Sequence, residues 1–446
     1  MEEDNKGVKG DWVFADSKNC DKFLASSKSF KPLFADLHIH SRFSRACSKD
    51  LTLANLVKWA RIKGLSLLGT GDFTHPKWLL ELKENLKEDN GIFWYNDEQG
   101  KFPFILSSEI SLVYTDNGKG RRVHLVYLAP CFETVDKINQ YLDTKGRRDY
   151  DGRPIFKISC RDFVADMQNI DERIEVIPAH IWTSWFGVFG SKGGYDNLDD
   201  AFKDKRDRIH AIETGISSDP AMNWRIKDLE NISILSFSDS HSFWPFRLGR
   251  EATIFKLEKG EKLVYDLIIN QIRKNSFIGT IETAPEYGKY HFDGHLVCNF
   301  SCNFEETKKL NGICPRCHKP LTIGVEYRVK ELEMSDVDFE NSKKENRKKY
   351  YTILPLHEII GLDLGAGINS KAVWKIYNDL IKVFDNEFNV LLNVSKEKLA
   401  QVLKNQSLID LIIKNRNGNI KVKPGFDGTY GVALLDGKIE KQATLV

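Results

Sequence analysis

Short apolar runs that stop at a histidine or a carboxylate recur along this chain, and they constrain its fold more than any other feature. Residues 32–34 lead into Ala35-Asp36-Leu37-His38-Ile39-His40-Ser41, where alternation along an extended strand sends both imidazoles to one side. Residues 65–68 run into Gly69-Thr70-Gly71-Asp72-Phe73-Thr74-His75, and residues 102–106 into Ser107-Ser108-Glu109. Residues 123–128 carry His124. Further on, residues 173–177 end at Pro178-Ala179-His180, 209–212 at Glu213, and 232–237 at Ser238-Asp239-Ser240-His241. Leu53, Leu56, Val57 and Ala60 recur at helical spacing before Gly64, which predicts a helix over 51–63. Further helices are expected at 132–143, 160–168 and 221–229. Strands alternating with helices, with polar residues at the strand ends, predict an α/β fold of the (βα)n barrel type. A helix at 260–275 and a strand at 277–281 would close it.

The pattern gathers nine metal-capable side chains: His38, His40, Asp72, His75, Glu109, His124, His180, Asp239 and His241. Any one of them alone reads as a satisfied core histidine or a helix cap. Burying so many without cations costs several kcal/mol apiece, so together they predict a multinuclear metal site. Mixed imidazole and carboxylate ligation suits Zn2+, Mn2+, Mg2+ or Fe2+. Closely spaced divalent ions are standard apparatus for phosphate-ester hydrolysis, where they bind phosphoryl oxygens, stabilise the leaving oxygen and acidify water. No P-loop, nucleophile elbow or dinucleotide fingerprint competes.

At 446 residues the chain is long enough for two or three domains. A net charge of +2 excludes a global field for nucleic acid, so any such contact must use local basic patches. These stand at 119–122, 145–148, 203–208 and 343–349, each equally readable as a solvated face. No apolar run is long enough to span a bilayer, and the first twelve residues lack a signal pattern; a globular cytoplasmic protein is expected, with no membrane partner.

Eight cysteines are present, and four of them, Cys298, Cys302, Cys314 and Cys317, crowd into one segment. That asymmetry favours a metal knuckle over a disulfide framework. Cys314-Pro315-Arg316-Cys317 supplies a CxxC turn, Cys298 a third ligand, and either Cys302 or His295 the fourth; His291 and His318 are weaker substitutes. A closed four-ligand site of this kind holds a structural Zn2+.

The segments DLHIHS, GTGDFTH, SSEIS, IPAH and SDSH together resemble the PHP (polymerase and histidinol phosphatase) family of metal phosphoesterases. That resemblance implies a distorted (βα)7 barrel with two or three metal ions. It assigns ligand positions to His38, His40, Glu109, His124, His180, Asp239 and His241, with His38, His40, Glu109, Asp239 and His241 expected to carry the catalysis. Two positions depart from the family pattern. Arg45-Ala46-Cys47 stands where many relatives place another ligand, and Asp72-Phe73 where many have Asp-His, with His75 a candidate substitute.

Residues 179–196, 213–225, 286–295, 313–329 and 423–431 narrow the likeness to the endonuclease Q family of DNA repair nucleases. The resemblance covers roughly residues 33–432. It implies cleavage of DNA on the 5′ side of uracil, hypoxanthine, xanthine or an abasic site, in double- or single-stranded substrate and with base flipping. A nucleoid-associated location would follow, and whether a sliding clamp is also a partner stays open. The implied organisation is an N-terminal extension (1–30), a PHP domain (31–284), a zinc-binding domain (285–330), and a lysine-rich linker with a small, mostly helical DNA-contacting domain (331–446). The cluster Trp182, Trp185, Phe186 and Phe189 is either core or a stacking platform for an extruded base. Ser191 and Lys192 would approach phosphates, and Asn223, Trp224 and Arg225 would assist. Two rival readings remain: a histidinol-phosphatase-like phosphomonoesterase, and a catalytically silent DNA-binding protein.

Overall fold

The computed structural model describes residues 29–435, so the N-terminal extension lies outside the described residues except for its last two. The chain is a mixed α/β protein with one large sheet and a helical C-terminal region. Among the described residues twelve strands precede the cysteine-rich segment: β1 (Phe30–Asp36), β2 (Leu67–Gly69), β3 (Leu86–Asp89), β4 (Ile92–Asp97), β5 (Gly100–Asp116), β6 (Lys119–Ala129), β7 (Ile155–Phe156), β8 (Glu175–Pro178), β9 (Ala211–Glu213), β10 (Ser233–Leu235), β11 (Ala252–Glu258) and β12 (Gly279–Glu282).

β1 runs parallel to β2, and β2 parallel to β5. β6 then lies antiparallel to both β5 and β8. β9 and β10 pair in parallel, and the chain after β10 returns to the end of β1 through a parallel bridge between Ile39 and Ser240. Ile181 N donates to Glu213 O at 3.0 Å, which joins the end of β8 to the end of β9. The ends of these strands therefore surround one point. Beneath it, Leu33, Ala35 and Leu37 pack with Leu67, Ile105, Val126, Ile177, Ala211 and Leu235 in one buried cluster, backed by the helix Tyr265–Arg273.

Three features depart from the expected strand-helix repeat. β5 is 17 residues long and folds straight back into β6 through Asn117-Gly118, both at positive φ (49° and 74°), the backbone of a tight hairpin turn. Glu109 and His124 consequently sit inside strands and not at strand ends. The chain adds a second hairpin, β3–β4, against β5, and β11, which lies antiparallel to β1. β12 pairs antiparallel with β11, so the 277–281 strand extends the sheet outward and does not close a ring. The lysine-rich stretch ends in β15 (Lys349–Thr352), parallel to β12, after the two small hairpin strands β13 (Asp293–His295) and β14 (Phe300–Cys302).

Helix Leu53–Lys63 forms as the periodicity predicts: Thr52 caps it by accepting from Asn55 N, and Gly64 ends it at φ 100°. The expected helix at 221–229 shortens to Pro220–Trp224 and a single 3-10 turn at Lys227–Leu229. The C-terminal helices are Leu356–Leu364, Lys371–Phe384, Glu387–Leu392, Lys396–Val402 and Gln406–Arg416. Arg416 ties them together by donating to the carbonyls of Val390, Leu391 and Val394. No helix among the described residues is long and apolar enough to cross a membrane.

Within this helical region His357 is fully buried, its ring 3.8 Å from Tyr377 and 4.3 Å from Trp374 between centroids, with neither ring nitrogen hydrogen-bonded. Burial, and secondarily the Lys63 ammonium, push its pKa down to about 3. The unfolded chain takes up this proton near pH 6.5 and the folded chain does not, so stability falls as pH drops from about 6.5 toward 3. Each pH unit in that window costs up to about 1.4 kcal/mol per proton. Urea unfolding of His357→Leu between pH 7 and 4.5 should show a slope shallower by close to one proton; an unchanged slope excludes His357 as the source.

Candidate metal centre

Two groups of potential ligands meet where the strand ends converge. His38, His40, Glu109 and Asp239 form one, and Glu109, His124 and His180 the other. Glu109 belongs to both and divides its oxygens between them. Its Oε2 lies 3.5 Å from His38 Nε2 and 3.3 Å from His40 Nε2, while Oε1 lies 2.8 Å from His124 Nδ1 and 3.2 Å from His180 Nε2. Asp239 Oδ1 stands 3.0 Å from His40 Nε2 and 3.5 Å from His38 Nε2. Strand geometry explains the convergence: His38 and His40 are two apart, and residue 109 of β5 and residue 124 of β6 lie on the two arms of one hairpin.

The ligand rings are oriented from behind. Glu213, which sequence analysis recorded only as a strand end, accepts from His38 Nδ1 through both carboxylate oxygens, at 2.9 and 3.0 Å. It also accepts from the His180 backbone N–H. Asp72 plays the same part for His40, with Oδ1 2.9 Å from Nδ1 and Oδ2 taking hydrogen bonds from Ser41 N, Ser41 Oγ and Ser44 Oγ. A carboxylate on the far nitrogen fixes the tautomer and presents Nε2 as a ligand. Asp72 was expected among the ligands and is instead spent on this orientation. His75 is not brought in either: it lies at the N-terminus of the helix Pro76–Asn85, stacked on Phe43 at 4.4 Å. His241 sits at the mouth, its ring 4.3 Å from His40 and its Nδ1 3.0 Å from Asp239 O, outside both groups.

Asp72, His180 and Asp239 all take left-handed backbone, at φ 46°, 29° and 47°. Such strain at non-glycine residues persists only where surroundings enforce it and is concentrated at functional sites. Gly215 makes room for His180, since a Cβ there would lie 2.5 Å from the His180 Cβ.

Burial works against charge throughout, and the pairing overcomes it selectively. It pushes Glu109 up, but His124, Arg153 and His38 hold the carboxyl well below the usual range. It pushes His38 down, yet Glu213, Asp239 and Glu109 keep that ring well above its ordinary value; His40 behaves likewise between Asp72 and Asp239. His124 is pushed down to about 4 by burial despite Glu109. The cage thus favours positive charge at its centre. His38 Nε2 and His180 Nδ1 are buried without a hydrogen-bond partner. Imidazole and carboxylate donors with unmet coordination capacity fit divalent cations. Arg153 was missed from sequence: its Nη1 lies 3.0 Å from Glu109 Oε2 at the solvent edge of the site. A few residues beyond His40, Arg45 pairs outward with Asp151 at 3.3 Å and Ala46 takes φ 65°.

A second ligand set, His295, Cys298, Cys314 and Cys317, assembles at the β13 end and the CxxC turn. Cys317 Sγ lies 3.4 Å from His295 Nδ1. Cys302 packs beside this set, in one small cluster with Cys314 and Leu321, but is not among the four; its Sγ faces Thr307 Oγ1 at 3.2 Å. Of the two candidates for the fourth position, geometry selects His295.

The residues expected to touch DNA separate into two kinds. Trp182 and Phe189 are buried 5.0 Å apart, with Trp182 Nε1 donating to Asn223 Oδ1. Ser191 donates to Ile323 O, Arg225 is paired with Glu333 and Asp336, and Trp224 packs on Tyr350. These six hold the fold. Trp185 is 40% exposed beside Arg122, Phe186 stacks on the His124 ring at 4.3 Å, and Lys192 is exposed. Phe186 thus borders the site, while Trp185 and Lys192 face solvent on the same loop.

With this geometry in view, comparison with known proteins is decisive. The lesion-specific endonuclease of Pyrococcus furiosus superposes with a TM-score of 0.80 at 30% identity, over 92% of this chain and 97% of that one. The chain belongs to the endonuclease Q family. An endonuclease Q crystallised with a 27-mer duplex substrate carrying an abasic lesion at its active site matches equally well, with a TM-score of 0.80, 31% identity, and coverage of 92% and 98%. Residues 355–419 match the family model of the MJ0043 C-terminal domain. The uncharacterised protein MJ0043 of Methanocaldococcus jannaschii is 32% identical over 302 residues, 66% of this chain but 36% of its own length. The chain thus spans little more than a third of that relative. YqxK of Bacillus subtilis, also uncharacterised, is 27% identical over 421 residues and is covered over 99% of its length.

Proposed function

We propose that this chain is a metal-dependent DNA repair endonuclease of PHP type, which hydrolyses the phosphodiester 5′ to a deaminated base or an abasic site. The observation that carries the reading is Glu109 set between two imidazole groups, in a chain that aligns over 92% of its length with a lesion-specific nuclease. His38, His40, Glu109 and Asp239 would hold one divalent ion, and Glu109, His124 and His180 a second. When bound, such ions bind phosphoryl oxygens, stabilise the leaving oxygen and acidify water. The side chains supply the rest. Glu213 and Asp72 hold the His38 and His40 rings in the ligand tautomer. Arg153, already at the mouth on Glu109, presents further N–H donors to phosphate oxygens. His241 can donate Nδ1–H to the Asp239 carbonyl, which leaves Nε2 as the nitrogen that takes a proton. Trp185 and Phe186 offer faces on which an extruded base can stack beside His124.

The second ligand set fits a structural Zn2+, since four ligands close a tetrahedral site. Metal analysis of the purified protein should show one zinc per chain lost in Cys314→Ser and retained in Cys302→Ser. Equal loss in both would return Cys302 to the ligand set.

The deciding experiment incubates the protein with end-labelled duplexes bearing one uracil, hypoxanthine, abasic or undamaged position and maps any cut to the nucleotide. Nicks on the 5′ side of the lesion, dependent on divalent metal, are expected. Fast turnover of histidinol phosphate with intact lesion duplexes would overturn the reading in favour of a phosphomonoesterase, and binding without cutting would favour a silent DNA-binding protein.

A further inference from the structure

Two segments singled out in the sequence, 286–295 and 423–431, contribute only His295 to the two metal sets, yet they are knit together beside the first one. Gly425 N donates to Glu286 O at 2.8 Å, Gly431 N to Tyr287 O at 3.1 Å, Gly428 N to Lys289 O at 3.0 Å, and Phe292 N to Gly425 O at 3.0 Å. The contact is too close for side chains: a Cβ on Gly425 would meet Gly288 O at 2.3 Å, and one on Gly431 would meet Glu286 O at 2.2 Å. The knit pair is joined to the metal centre by two more close approaches. Gly288 abuts Ser217, with a Cβ position 2.3 Å from its Oγ, and Gly215 in the same loop abuts His180. From the other side comes Arg247, six residues past His241.

What this arrangement presents outward is a tyrosine between two cations. The Lys289 ammonium lies 4.6 Å from the centre of the Tyr430 ring, and the Arg247 guanidinium 5.9 Å from it. Lys289 is exposed, and Arg247 and Tyr430 are partly so. Neither cation forms an ion pair with a carboxylate among the described residues. The nearby acid Asp427 is engaged elsewhere, accepting from Leu296 N at 2.6 Å. The ring's quadrupole attracts each cation but does not neutralise it, so both charges are left for an anion to balance. Two cations about one aromatic ring, on loops that abut the loop packed against His180, have the chemistry that takes up a nucleic-acid backbone.

We propose that Arg247, Lys289 and Tyr430 form a second, sequence-independent contact for the DNA backbone, in addition to any made by Trp185 and Phe186, gripping the strand outside the lesion. This rests on the nuclease reading, and it assigns the closing glycine-rich loop the task of holding that contact at a fixed distance from the cleaved bond. The test is the salt dependence of binding to an abasic-site duplex and to its undamaged counterpart, measured by anisotropy in the presence of Ca2+ from 50 to 300 mM salt. Each lost phosphate contact lowers the slope of log affinity against log salt by about 0.9, so Arg247→Ala with Lys289→Ala should lower it by about 2 and weaken both duplexes alike. Lys87→Ala with Lys101→Ala, which removes two exposed lysines from β3 and β5, should leave the slope as it is. Coincident slopes for the Arg247/Lys289 double variant and the parent would overturn the contact even if the parent cuts lesion DNA. A parent that cuts no lesion duplex, with the slopes still separated, would sink the nuclease reading and leave the contact standing.

Discussion

Glu109→Gln should abolish cutting while leaving the fold intact, with a loss of roughly a thousandfold or more in kcat. The estimate follows from the carboxylate's position. Its two oxygens serve both imidazole groups, so one neutral amide weakens both ion sites at once. Divalent ions contribute several kcal/mol of transition-state charge stabilisation, and each 1.4 kcal/mol is tenfold in rate. Replacing a group that only orients a ligand is milder, about ten- to a hundredfold, which is the expectation for Glu213→Gln acting through His38. Single-turnover nicking of an abasic-site duplex, paired with metal analysis, separates the two. Glu109→Gln should lose active-site metal and keep the knuckle zinc; Glu213→Gln should retain most of both. Comparable losses for the two variants would mean that Glu109 does not join the groups.

The site residues within a few positions of each other were legible in the sequence because strand alternation is a local rule. His38 and His40, and Asp239 beside His241, needed only a period of two. The tertiary partners were not. Glu213 and Asp72 differ from Glu109 only in which nitrogen they face, and that is decided by strand order, which no local spacing reports. The β5–β6 hairpin did have a local signal: Asn117-Gly118 between two alternating apolar runs reads as a tight turn, and it would have replaced the strand-helix repeat at this point. β11 was obscured because Ala252–Glu258 follows the SDSH motif with no helix between. In the knuckle, His295 and Cys302 flank Cys298 at three and four residues, so spacing does not choose between them; pairing of β13 with β14 places His295 opposite Phe300, and Cys302 faces Thr307. Aromatic residues near His180 looked alike in composition, yet Trp182 and Phe189 are core while Trp185 faces water, a distinction set by the loop's packing on Ile323.

Lys63→Met should cost about 3–5 kcal/mol of stability, because it strands a buried carboxylate. Lys63 ends the helix Leu53–Lys63 and is fully buried, with Nζ donating to Glu387 Oε1 at 2.7 Å and to Pro245 O at 2.8 Å. Glu387 in turn accepts from Leu356 N and from the Tyr377 hydroxyl, both at 3.0 Å. One ion pair thereby ties the α/β part, the loop that follows His241 and the C-terminal helices. Burial lowers the pKa of the ammonium, and Glu387 opposes that shift, so the pair stays charged only while both members are present. Removing both charges relieves the cost. Lys63→Met combined with Glu387→Gln retains an acceptor for Leu356 N, and it should recover most of the stability lost by Lys63→Met alone in urea unfolding. If the two substitutions merely add, the pair is not coupled and the Pro245 contact carries the effect. Recovery of stability without recovery of nicking would show a further role for the pair, since Pro245 lies four residues beyond His241 and its carbonyl is held by Lys63 alone among the side-chain donors described.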